Sequence, residues 1–173
     1  TVSVEVSQDT DPPDDPGTDE NRLIVDTDAG DQTFTIGGAD RIIQGTGSAE
    51  TVNVLSGTSV EANLAGGADR VNLAEELSAF EISQQGFTGL QLAGPDGQLV
   101  DVSVNTGGVP TTLAFAGGSV DVTAQGGTIS VGDQALGAGA SLDPVAVNLD
   151  PSDPSPIADV DDSGFFDEMV TVS

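Results

Sequence analysis

Apolar and polar residues alternate along most of this chain, which is the pattern of β-strands with one buried face. The alternation reaches both ends, where TVSVEVS puts Val2, Val4 and Val6 on one face and MVTVS does the same for Val170 and Val172. Only NLAEELSAF has helical spacing, enough for one or two turns. The pattern therefore predicts an all-β fold.

A repeat lies in the first half of the central region, where GGADRI at 37–42 recurs as GGADRV at 66–71. With two weaker copies between them, four units begin at Ala39, Ala49, Ser59 and Ala68, separated by 10, 10 and 9 residues. Short strands joined by Gly turns at this spacing predict rungs of a parallel β-roll or β-helix, a β-solenoid. The inward set would then be Ile42, Val52, Ala62 and Val71. An antiparallel meander is the alternative.

Beyond residue 73 the strands lengthen and the turns become those of hairpins. GPDGQ has Pro at the second turn position, followed by Asp and Gly, and predicts a hairpin between FEISQQG and LQLAGPDGQLVDVSV. Further strands would join at Gly117-Gly118 and Gly126-Gly127. The expected architecture is thus parallel roll-like rungs followed by antiparallel hairpins.

Two acidic flanks surround this body. Residues 8–31 and 143–168 together hold 17 of the 29 acidic residues and seven of the nine prolines. Such segments favour extended linkers or ion-dependent loops. The predicted organisation is a terminal strand (1–7), an acidic linker or calcium loop (8–31), a β-rich body (32–142), an acidic calcium-loop segment (143–168) and a terminal strand (169–173). Each terminal strand is expected either to pair within its own domain or to complete the sheet of a neighbouring copy, as a donor strand does.

The charge of the chain, −26 with three Arg and no Lys, restricts its partners. It excludes nucleic-acid binding, which needs a basic surface, and it disfavours anionic membranes. The sequence contains no run of 18 apolar residues, so insertion into a membrane is not expected. Carboxylates at this density attract hard cations, so calcium is the expected counter-ion, although a halophilic surface is an alternative.

Calcium loops of the D-x-D-x-S-G type are recognised by their regularly spaced oxygen ligands. DVDDSGFFD fits this spacing with Asp159, Asp161, Ser163, the carbonyl of Phe165, and Asp167. Position 12 holds Val170 instead of glutamate, so Glu168 or Asp162 would have to complete the shell. DTDAGD is a second, shorter candidate with Asp26, Asp28 and Asp31. A solvated acidic turn is the alternative in both places.

The central region resembles the extension domains of large secreted RTX (repeats-in-toxin) adhesins and biofilm-associated proteins. The resemblance is carried by GSAETVNVLSGTSVEANLAGGADRVNLAEELSAFEIS and LAFAGGSVDVTA, over about residues 45–136. It implies calcium-assisted folding after type I-like secretion from a bacterium, and an adhesive or structural role. In the RTX nonapeptide, Gly-Gly-x-Gly-x-Asp binds calcium; here the turns lack the second Gly-x, but Asp40 and Asp69 could each serve one ion. Alternatively, each Asp caps backbone N–H groups.

The absence of Cys, His, Lys, Tyr and Trp removes most catalytic groups, so no enzyme activity is expected. The leading hypothesis is a secreted, extracellular calcium-dependent structural protein that self-associates into a homopolymeric filament, matrix or adhesin. A module that binds a glycan, a mineral or ice is the second hypothesis. A carboxylate-based polysaccharide enzyme is the third.

Overall fold

The computed structural model describes residues 5–7, 21–24, 31–38, 41–157 and 168–172, with residues 5–7, 21–24 and 168–172 described by their backbone. The described chain is built almost entirely of strands, as the alternation predicts. In chain order these are β1 Glu5–Ser7, β2 Asn21–Ile24, β3 Gln32–Gly38, β4 Arg41–Gln44, β5 Glu50–Val54, β6 Val60–Asn63, β7 Arg70–Leu73, β8 Glu81–Gln85, β9 Gly89–Ala93, β10 Leu99–Ser103, β11 Thr111–Phe115, β12 Gly118–Gln125, β13 Thr128–Val131, β14 Gln134–Leu136 and β15 Glu168–Val172.

These strands form two sheets. The first, sheet A, has the order β1-β2-β4-β6-β10-β9-β8, and the second, sheet B, has the order β15-β3-β5-β7-β11-β12-β13-β14. From β2 to β7 the chain passes from one sheet to the other with each successive strand, so that neighbours within a sheet are parallel. This is the winding of a flattened parallel roll, and it excludes the antiparallel meander for the repeat region.

Each turn of the roll contributes one strand to each sheet. We call the pairs β2–β3, β4–β5, β6–β7 and β10–β11 rungs one to four. Strands of successive rungs pair in parallel. The antiparallel hairpin of β8 and β9 lies between rungs three and four in the sequence, but in space it extends sheet A beyond β10. The four sequence units are therefore half-rungs, because two of them are needed to return to the same sheet.

The core residues lie in columns across the rungs. In sheet B, Phe34, Val52, Val71 and Leu113 stand opposite one another, and each is at most 1% exposed. Burying each such side chain stabilises the fold by about 1.5–3 kcal/mol. Residues of both sheets join in one hydrophobic cluster.

The inward set predicted from the repeat is correct for Val52, Ala62 and Val71 but wrong for Ile42. Ile43 is the fully buried residue of β4, while Ile42 is only partly buried. Ile43 pairs with the buried Ala62, and Ile42 pairs with the exposed Glu61. Arg is the first residue of both β4 and β7, but the side chain of Arg41 is buried whereas that of Arg70 is only partly buried, so the inward alternation of β4 begins one residue earlier than the alignment assumed.

The predicted hairpins are present. GPDGQ turns between the antiparallel β9 and β10, and its Asp96 has a positive φ of 56°. β11 and β12 meet at Gly117-Gly118, and β12 and β13 meet at Gly126-Gly127. The helical stretch forms one 3₁₀ turn, Leu77–Ala79, and two more are found at Pro95–Gly97 and Pro144–Ala146.

Three connecting segments lie on one side of the roll. They are residues 45–49, 64–69 and 104–110, and each leads from sheet A to sheet B. We call this the loop side. Its loops pack closely: a Cβ added to Gly67, whose φ is +96°, would lie 2.0 Å from the carbonyl oxygen of Ser48. The Gly-Gly of the repeat therefore serves close approach between the loops of rungs two and three.

Candidate functional site

Most of the residues predicted to bind calcium lie outside the described residues, so their role stays a prediction. These are Asp26, Asp28, Asp40, Asp159, Asp161, Asp162, Ser163, Phe165 and Asp167. Glu168 is the first residue of β15, whose backbone alone is described. Among the described residues, no group of three or more acidic side chains could hold a metal ion.

Asp31 and Asp69 are described, and each caps a backbone amide in a neighbouring rung. The exposed Asp31 accepts a hydrogen bond from the N–H of Ala49, at 3.3 Å to Oδ1. The buried Asp69 accepts one from the N–H of Glu50, at 3.1 Å to Oδ1. Both contacts match the capping role that was the alternative to metal binding for Asp69.

The register of the rungs brings Asp69 beside two other buried polar residues. Thr51 pairs with Arg70 and Arg70 pairs with Thr112, so the preceding positions, Glu50, Asp69 and Thr111, follow one another across rungs two, three and four. Because inward positions alternate along each strand, their side chains point to the core side. Glu50 and Thr111 are 0% exposed and Asp69 is 1% exposed. We call these three residues the acidic ladder.

Few hydrogen bonds reach the acidic ladder. The hydroxyl of Thr46 bonds to Glu50 Oε1, and the N–H of Ser48 donates to the Thr46 oxygen at 3.0 Å. Three other buried oxygens, Glu50 Oε2, Asp69 Oδ2 and Thr111 Oγ1, have no hydrogen-bond partner. Two carboxylates are thus enclosed side by side with half of their oxygens unsatisfied.

This enclosure changes the acidity of Asp69. Burial and the charge of the neighbouring Glu50 raise the pKa of the Asp69 carboxyl from 3.8 to about 7, although the hydrogen bond from the Glu50 N–H opposes the shift. The carboxyl therefore binds a proton near neutral pH unless a cation is close. Chemically, the ladder is suited to holding either a proton or a positively charged ion.

A second group of carboxylates lines an open groove of about 460 Å³ on the outside of sheet B. It includes Asp121, Asp133, Asp150 and Asp153, together with Thr112, Ser119 and Asn148. Asp153 forms an ion pair with Arg70 at 2.6 Å, which with Ser119 lowers the pKa of Asp153. Hydrogen bonds from Ser152 lower the pKa of Asp150. None of the lining residues is aromatic, so the groove lacks a stacking platform for a sugar.

Glu50, Thr46 and Thr111 were missed by reasoning from the sequence. Glu50 occupies the Asp position in the second copy of the repeat, where a glutamate departs from the Gly-Gly-x-Asp motif. The available signal was the sequence separation of 19 residues between Glu50 and Asp69, which is one full rung. This separation predicts that the two residues are neighbours only once two units are known to make one rung.

Comparison of the chain with protein-family models, with curated proteins and with solved structures found no match. Within the described residues, no helix is long and apolar enough to cross a membrane.

Proposed function

We propose that this chain is a secreted, calcium-dependent structural module that joins copies of itself into an extracellular filament, matrix or adhesin. The observation that carries the proposal is the position of the two terminal strands. β1 pairs antiparallel with β2, and β15 pairs antiparallel with β3. β2 and β3 together form rung one, so both terminal strands close the roll at the same end.

In this structure both strands pair within their own chain. If two copies exchanged these strands, each strand would make the same pairing with the other copy. The contacts along such strands are main-chain hydrogen bonds, which an identical strand from another copy can make in the same register. Residues 8–20 and 158–167 connect the terminal strands to the rest of the chain. Segments of this length reach roughly 30–45 Å when extended, which is far enough to deliver a strand to a neighbour.

The opposite end of the roll is less suited to strand addition. β8 already pairs with the segment around Ser141, through N–H donation from Leu142 to Ile82 and from Gln84 to Ala140. Covering an edge strand is one way in which proteins prevent uncontrolled pairing. The edges of β2 and β3, which β1 and β15 cover, are therefore the expected acceptors of a strand from another copy.

Calcium enters the proposal through the charge of the chain. A net charge of −26 opposes both compact folding and the approach of a second copy. Divalent cations bound to carboxylates relieve this repulsion, and extracellular calcium is abundant enough to fill weak sites. The RTX resemblance points to the same cation.

Deletion of residues 1–7 tests the junction. In calcium, we expect the full chain to form end-to-end assemblies and the deletion variant to remain as single copies, as measured by sedimentation velocity. A variant lacking residues 1–3, which precede β1, is the matched control and should still assemble. Assembly of the 1–7 deletion variant to the same extent as the full chain would contradict the proposed role of the N-terminal strand.

A further inference from the structure

A row of polar side chains crosses the outer face of sheet B. Asn72, Asn53 and Thr35 stand opposite one another on β7, β5 and β3. Asn72 donates from Nδ2 to Asn53 Oδ1 at 2.7 Å, and Asn53 donates from Nδ2 to Thr35 Oγ1 at 3.1 Å. Arg70 begins the row, because its Nε donates to Asn72 Oδ1 at 2.7 Å. We call these four residues the polar row.

Arg70 fixes the direction of every hydrogen bond in the polar row. A guanidinium group has donors and no acceptor, and Asp153 holds this one by contacts of 2.6 Å to Nη1 and 3.1 Å to Nη2. Asn72 therefore accepts through its oxygen and donates onward through its amide group. Asn53 repeats this arrangement. Thr35 receives the last bond at its oxygen, so its hydroxyl hydrogen is left to donate in another direction.

Burial makes this direction costly to reverse. Asn72 is 1% exposed, and Asn53 and Thr35 are half-buried. If Asn72 turned over, its amide group would face the guanidinium of Arg70, donor against donor. A buried polar group left without a partner is unfavourable. The polar row therefore presents a hydroxyl donor, in one defined orientation, at the edge of β3.

β15 covers this edge of β3, and Thr171 is the residue opposite Thr35 in its register. Opposite residues of antiparallel strands lie close enough for their side chains to interact. We propose that the polar row selects the strand that pairs with β3, because the Thr35 hydroxyl requires a hydrogen-bond acceptor at the position of Thr171. A strand shifted by two residues would place Met169 there, and a thioether accepts hydrogen bonds only weakly.

This inference rests on the proposed function in one respect. If copies exchange β15, the polar row of each copy reads the strand of its neighbour in the way that it reads its own. Within a single copy, the selection of the strand depends neither on exchange nor on calcium. It can therefore be measured without any assembly.

Hydrogen exchange of the β15 amides, on the full chain at a concentration where it is a single copy, tests the selection. Thr171→Val removes the acceptor, and Thr171→Ser keeps it. We expect protection of β15 to fall about 1.4- to 5-fold in Thr171→Val, the effect of one cross-strand polar pair, and to fall less in Thr171→Ser. Strand propensity alone predicts the opposite order. Thr51→Val, on the same face of β5 but outside the polar row, is the matched control and should leave β15 unchanged.

Asn72→Asp separates the polar row from a local effect at β15. The new carboxylate can accept from Arg70 but cannot donate to Asn53, so Asn53 turns its amide group toward it and accepts from Thr35 instead. The hydroxyl of Thr35 then no longer needs an acceptor on β15. In this background Thr171→Val should not lower the protection of β15, although β5 and β3 separate residue 72 from that strand.

Two results would overturn the proposal. One is protection of β15 in Thr171→Val that equals or exceeds that in Thr171→Ser. The other is an effect of Thr171→Val that stays the same in the Asn72→Asp background. The first comparison decides the proposal even if Asn72→Asp does not fold. Assembly, which tests the proposed function, is measured separately by sedimentation, so that failure of one does not decide the other.

Discussion

Asp69 occupies a position where the alternation along β7 calls for an apolar side chain. Val71 and Leu73, the next inward residues, are fully buried, and Asp69 is nearly so. The Gly-Gly-x-Asp motif singled out Asp69 from the sequence, but it did not reveal Glu50 or Thr111. Their proximity arises from strand register between rungs, which no local pattern of residues contains. At the scale of single residues, a motif can thus identify one member of a buried polar group and miss the others.

The raised pKa of Asp69 predicts how stability depends on pH in calcium-free buffer. Between its unfolded value of 3.8 and its folded value of about 7, the folded state holds a proton that the unfolded chain has released. This contribution to the free energy of unfolding is therefore fully present below pH 3.8 and is lost as the pH rises to about 7.

Asp69→Asn isolates this effect, because the amide can still accept the Glu50 N–H but does not titrate. Urea unfolding should show that the free energy of unfolding of the wild type falls as the pH rises through this range, and that it falls clearly less in the variant. General charge repulsion contributes equally to both proteins. If the free energy of unfolding depended on pH identically in both, Asp69 would have an ordinary pKa.

Gly67 gives a second prediction at the residue scale. Its φ of +96° and the close carbonyl of Ser48 leave no space for a side chain. Gly67→Ala should destabilise the protein by at least about 1–3 kcal/mol, the usual range for a strained backbone conformation. Gly47→Ala is the control, since a Cβ there meets nothing within 4 Å. Equal melting temperatures for the two variants would show that the loops are not packed as described.

At the scale of elements, the sequence predicted strands and turns better than it predicted pairing. The Gly pairs and GPDGQ predicted the hairpins correctly, because the backbone conformation of a tight turn depends on nearby residues alone. The repeat correctly indicated parallel rungs. Its ten-residue period did not reveal that the chain changes sheet at every unit, since a half-rung and a whole rung have the same alternation. A one-residue error in the register of β4 then exchanged Ile42 for Ile43.

Two adjacent isoleucines test this register directly. Ile43 is fully buried opposite Ala62, whereas Ile42 lies on the outer face of sheet A opposite Glu61. Ile43→Ala should cost about 2–5 kcal/mol of stability, as large-to-small changes in cores do. For a chain of this length, each kcal/mol lowers Tm by about 2–4 °C. Ile42→Ala should cost much less stability. If Ile42→Ala cost more than Ile43→Ala, then Ile42 and not Ile43 would be the residue of β4 that faces the core.

At the scale of the whole molecule, charge and topology act together. The roll collects its apolar residues into one core, while carboxylates crowd its surface, its flanks and, in the acidic ladder, its interior. Composition alone predicts that the chain binds cations, and this expectation stays a prediction. It could not predict that two carboxylates would be enclosed, because burial depends on the winding of the complete chain. It also could not indicate that both terminal strands close the same end of the roll.

We propose that calcium links copies of this module end to end. Electron microscopy of the purified full chain, with calcium and after chelation by EGTA, tests this proposal. We expect extended assemblies with calcium, single particles after chelation, and recovery of the assemblies when calcium is restored. Identical particles under all three conditions, whether single or assembled, would contradict it.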